Sequence, residues 1–240
     1  MQTARSLRPL VLCAMLLAAS PVIAGPFTEF EAQLRLAYAP YRNALFQTNK
    51  KDQAASEQAL KKFTSDWATL TARWGSQPPP QYADDASFNA VLGEITIIIE
   101  KAHGTVSKGE LAEAHEILEK IRDILGDLRS RNGIVTFSDR MNAYHEAMEH
   151  VLTKPYGGFD AKGLGELRED ASVLAYLYGP LEKHRPAGVG GNPEFVQALS
   201  AVKSSVDGLL ASIRTGEAAA TRQAIQKLKQ PYAVLFLKFG

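Results

Sequence analysis

Shifted by 107 positions, the chain aligns on itself without a gap, and this self-match restricts the possible folds more than any other feature. Phe30 falls on Phe137, Leu45 on Leu152, Pro79 on Pro186, Phe88 on Phe195 and Leu92 on Leu199. Further along, Gly109-Glu110 falls on Gly216-Glu217, Leu128 on Leu235 and Gly133 on Gly240. Where identity lapses, character persists: Ile95 meets Val202, Ile99 meets Val206 and Ile121 meets Leu228. A turn glycine, a breaking proline and an apolar stripe held in one register mark a repeated supersecondary unit.

The apolar spacing says what that unit is made of. Phe30, Leu34, Tyr38, Tyr41 and Leu45 recur at three- and four-residue intervals, as do Leu60, Phe63, Trp67, Leu70 and Trp74. The same period runs through Phe88 to Val106 and through Leu111 to Leu128, and no alternating strand pattern competes. These observations predict an all-α fold of two tandem four-helix up-down-up-down bundles, residues 25–133 and 134–240, related by internal duplication.

Local signals place the ends. Pro78-Pro79-Pro80 separates the second and third helices, and Lys108-Gly109 turns the third into the fourth. Thr28 with Glu31 reads as a capping box for the first helix, Asn192-Pro193 as the cap and first turn of the seventh. Gly133 suits a left-handed helix stop, and Thr136 or Ser138 a cap for the fifth helix. The joint between the copies, Arg131 to Thr136, is too short and apolar for a free linker, so the bundles should touch and share a groove.

Residues 1–24 read as a secretory leader, with Arg5 and Arg8 ahead of an apolar run from Leu10 to Ala19 and a small-residue cleavage pattern ending at Ala24. The run is shorter than the ~20 residues of a membrane span, and no later stretch is long and apolar enough. Leu12 before Cys13 disfavours lipoprotein processing. Cleavage would remove the single cysteine, and with it cysteine ligands, nucleophiles and disulfides. The expectation is a periplasmic or secreted protein. Without Arg5 and Arg8, 25 of the 27 basic residues face 26 acids, a balance that argues against a nucleic-acid binder.

No nucleophile-elbow serine, zincin helix or phosphate loop is present, and Gly188-Val189-Gly190-Gly191 reads as a plain loop. The copies themselves are the better probe. Where the first has Leu34, Tyr38 and Tyr41, the second has Met141, His145 and Met148 on one helical stripe. Thioether and imidazole together suit Cu(I), against the simpler reading of core filling. One haem cannot take both His145 and Met148 from a single face, and beyond His184 no opposite ligand is evident, so haem is disfavoured. A second set, His103 and His115 with Glu100 and Glu119, falls at one height of the third–fourth hairpin and has the donors for a divalent ion, although charges at a bundle edge are commonly just solvated. Tyr176, Tyr178, Tyr232, Phe236 and Phe239 enrich the second copy in aromatics that suit a pocket or the contact between bundles.

Paired four-helix units of this kind are similar in architecture to exported metal-uptake proteins of the imelysin kind. Their His-x-x-Glu signature is absent, since His115 is followed by Leu118 and His145 by Met148, and no residue role carries over. The resulting expectation is a non-catalytic binding protein, most directly for a metal ion. The alternative is a scaffold that holds a periplasmic protein partner on its helix faces or inter-bundle groove.

Overall fold

The structure is a computed structural model that describes residues 25–186 and 188–240. Residues 1–24, read above as a leader, lie outside the described residues, and Cys13 with them. Those described form nine α-helices and no strand, and none of the helices is long and apolar enough to cross a membrane.

Helix α1 (Pro26–Asn49) begins earlier than a Thr28 cap would set it. Extended Gly25 takes the cap position, and Pro26 takes the first helical position, where its missing N–H leaves nothing unpaired. Thr28 and Glu31 therefore fall inside the helix and form no capping box. Helix α2 (Gln53–Trp74) is capped by the Asp52 carboxylate, which accepts from the Ala55 amide at 3.0 Å. The proline break leads through a single 3₁₀ turn, Pro80–Tyr82, to α3 (Phe88–Ser107). Gly109, at φ 78°, then turns the chain into α4 (Leu111–Arg131).

Gly133, at φ 70°, stops α4, and the Ile134 amide reaches back to the Arg129 carbonyl at 2.9 Å. Thr136 caps α5 (Phe137–Thr153) in a reciprocal box with Asp139. Helix α6 (Ala161–Lys183) is capped by Asp160, and α7 (Pro193–Thr215) by Asn192 with Pro193 in its first turn. The last expected helix is divided into α8 (Ala218–Gln226) and α9 (Lys229–Phe239). Pro231 explains the break: it has no N–H to give the Lys227 carbonyl, and its ring crowds that oxygen.

In residues 25–133, α1 packs on α2 and α4, and α3 packs on the same two helices. In residues 134–240, α6 lies against α5 and α7, while α8 and α9 pack on α7 and touch α5. The halves of the chain meet where α1 packs on α9. Positions 107 apart are buried together: Phe30 with Phe137, Phe88 with Phe195, Leu92 with Leu199 and Leu128 with Leu235. The first half fills its interior with Trp67 and Trp74, whose indole N–H groups donate to the Thr96 hydroxyl at 3.1 Å and to the Gln33 side chain at 2.8 Å. The second half has Leu174 and Leu181 there, and places Tyr144 where the first half has Ala37.

Candidate binding cleft at the junction of the halves

Two charged residues tie the halves together. Arg129, on the last turn of α4, is 3% exposed and donates from Nε to both Asp139 oxygens at 2.9 Å. Asp139 also accepts from the Thr136 amide and hydroxyl, each at 2.7 Å, so one carboxylate caps α5 and holds α4. Burial works against the Arg129 cation, but Asp139 outweighs it and the net shift is upward. Arg42, on α1, donates from Nε to the Leu237 carbonyl at 3.2 Å and from Nη1 to the Gly240 carbonyl. Its guanidinium lies 5.7 Å from the centre of the Tyr38 ring.

Between these ties lies a cavity of about 450 Å³. Its walls come from α1, the α4–α5 joint, the α6–α7 loop and the end of α9. The charge of the walls is one-sided. Arg35 and Arg140 border the cavity, and neither has a carboxylate within ion-pair distance among the described residues, while Arg42 on the same wall is engaged by Leu237 and Gly240. Arg129 is neutralised by Asp139, and Lys238 pairs with Glu194 at 3.2 Å. Glu31 is the carboxylate among the lining residues, and burial raises it above the usual range. Two residues of the wall carry a polar atom that is buried away from it and has no hydrogen-bond partner: Tyr38 at its hydroxyl and Arg140 at Nε. Tyr38 is itself 4% exposed. Leu34, Phe137 and Phe239 supply an apolar side.

The residues singled out in the sequence fall differently. Met141 and Met148 are fully buried, but the stripe does not face one way. Met141 belongs to the core, and its carbonyl accepts from the Tyr232 hydroxyl at 3.3 Å. His145 is only half-buried, its ring 5.2 Å from Tyr232 and bordering the same small cavity as His115 and Arg122 of the other half, while the adjacent Tyr144, at the Ala37 position, is fully buried. His145 and Met148 border a smaller junction cavity of about 70 Å³ together with His115, Glu119 and Arg122. Burial first, then Arg122, lowers His145 to about 4, while Glu119 opposes the shift.

His103 and His115 do not share a side of the α3–α4 hairpin. His103 Nε2 meets the Thr64 hydroxyl of α2 at 3.1 Å, whereas His115 Nδ1 meets the Thr48 hydroxyl of α1 at 3.0 Å. Each imidazole follows the neighbour that its own helix packs against, so the hairpin does not gather Glu100, His103, His115 and Glu119. Glu119 instead bonds Arg122 at 2.8 Å and lies 3.6 Å from His115 Nε2. Among the described residues, no three His, Asp or Glu side chains are grouped to hold a metal ion. Of the second-half aromatics, Tyr232 and Phe236 border the smaller cavity and Phe239 the larger, while Tyr176 is 76% exposed and lines neither.

Sequence reasoning missed Arg42, Arg129 and Arg140, although one signal was present. Arg122 and Arg129 continue the apolar stripe of α4 beyond Leu118 and Leu125, where a solvated charge is out of place unless another element covers it. Compared with family models, curated proteins and solved structures, the chain matches none.

Proposed function

We propose that this chain is an exported, non-catalytic binding protein, two copies of one four-helix unit that hold a small ligand in the cleft where they meet. One observation carries the reading: a cavity of about 450 Å³ at the junction, lined from both halves by Arg35 and Arg140, neither paired with a carboxylate among the described residues, and by the apolar Leu34, Phe137 and Phe239. Cavities of roughly 300–1,000 Å³ with an apolar wall and a few convergent polar groups are the usual form of a small-molecule site. The 107-residue register, the buried pairs that follow it and the leader pattern of residues 1–24 support the remainder of the reading. A fragment library screened by amide NMR tests it: hits should shift Tyr38, Phe137 and Phe239 together. Hits that map elsewhere, or a library that leaves these three unmoved, contradict it.

A second reading keeps copper but moves its ligands. His145 and Met148 share the smaller cavity with His115 of the other half, which brings two imidazoles and a thioether to one place. On this reading Cu(I) binds more tightly than micromolar under reducing conditions, and His115→Ala and His145→Ala each lose that binding. Weaker binding by the unaltered protein removes the reading.

A further inference from the structure

Resting on the cleft reading, we infer that the ligand is a small organic carboxylate, its head held by Arg35 and Arg140 and its apolar body against Phe137 and Phe239. Charge sets the sign. Arg35 and Arg140 line the cavity without carboxylate partners among the described residues, Arg129 is already neutralised by Asp139, and Glu31 is the opposing charge on the wall. An anion entering the cleft would give these guanidinium groups the partner they lack, and charge-assisted hydrogen bonds are the stronger kind.

Size and wall chemistry narrow the class. The cavity greatly exceeds an inorganic ion, since one water takes about 30 Å³ of liquid. Leu34, Phe137 and Phe239 offer nothing to a fully polar solute but cover a chain or ring well. Glu31 on the same wall disfavours a phosphate ester, whose charge is nearly double that of a carboxylate.

The test uses the purified chain with octanoate and 4-phenylbutyrate, each against its neutral amide, and with inorganic phosphate. Both carboxylates should bind and shift Tyr38 and Phe239, with the amides about ten-fold weaker or more. Arg140→Gln should remove most of that preference, and Arg140→Lys should retain part of it. Glu31→Gln should tighten carboxylate binding several-fold, a gain that damage to the fold does not produce. Equal binding of acid and amide in the cleft overturns the carboxylate assignment and leaves the cleft reading standing. Tighter binding of inorganic phosphate, or no binding of either carboxylate, also overturns the assignment. The cleft reading falls separately, if neutral library members too leave the lining residues unmoved.

Discussion

The two halves of the chain answer one apolar pattern with different last helices. In the first half α4 runs unbroken from Leu111 to Arg131, while the matching stretch of the second half is cut into α8 and α9. The difference traces to one pair of positions: Ile124 in the first half and Pro231 in the second. The openings of the halves differ as well. Helix α1 continues through Thr48, whereas α5 stops at Thr153 because Lys154, held extended at ψ 130°, precedes Pro155. Both changes fall on α1, α5 and α9, the helices around the junction. The comparison teaches that the apolar period persists while the residues filling it change, as from Trp67 to Leu174, and that single prolines decide where the helices end or divide.

Several substitutions break or sharpen this comparison. The largest effect is expected at the tie between the halves. Arg129→Met leaves the Asp139 carboxylate half-buried without its partner, and breaking such a pair costs about 3–5 kcal/mol. Urea unfolding measures it; a loss below 1 kcal/mol would mean that Arg129 does not hold the halves together. Next in size is transfer of the helix break. Ile124→Pro puts into α4 the proline that divides α8 from α9, at a cost of about 3 kcal/mol. The reverse change, Pro231→Ile, should stay within about 1 kcal/mol, since the second half is already built around the break. Equal costs in both directions would refute the assignment of the break to Pro231.

His145 gives a pH-dependent contrast with its counterpart Tyr38. Its folded pKa, about 4, lies below the unfolded value near 6.5, so the unfolded chain binds more protons between the two. Stability contributed by the neutral imidazole is present above pH ~6.5 and is lost as pH falls toward 4, by roughly 2–3 kcal/mol in all. The groups around it are Arg122, Lys229 and His115, which oppose protonation, and Glu119 and Glu149, the latter 3.6 Å from Nε2, which favour it. His145→Tyr, which copies the first half, should flatten that part of the curve, as read by denaturant unfolding at pH 7 and pH 5. An unchanged slope would assign the acid sensitivity to Glu119 and the other carboxylates. The smallest effect separates true caps from apparent ones: Thr136→Ala should cost about 1 kcal/mol and Thr28→Ala almost nothing, because Thr28 caps no helix.

Helix faces were readable because the 3.6-residue period is local, and Phe30 through Leu45 or Leu60 through Trp74 announce a buried side without reference to any neighbour. The true starts of helices were less so, since Thr28 and Pro26 both offer an opening and only the backbone at Gly25 decides between them. Pro231 was visible but fell inside a stripe whose apolar spacing ran on across it. Tyr144 was hidden by the register itself: it fills the Ala37 position while His145 is only half-buried. Apart from Arg129 on the apolar stripe of α4, the cleft had no local signature. Tyr38, Arg42, Arg129, Arg140 and Phe239 are spread along the whole chain, and they come together only because α1 packs on α9 and because Arg129 draws α4 to the first turn of α5.

The central claim is that one ligand contacts both halves, and hydrogen exchange of the intact chain with and without saturating 4-phenylbutyrate tests it most directly. The account predicts slower exchange in three separated segments at once: the middle of α1 around Tyr38 and Arg42, the first turn of α5 around Phe137, and the end of α9 around Phe239. Protection confined to one half, or none at concentrations where binding is seen, would contradict it.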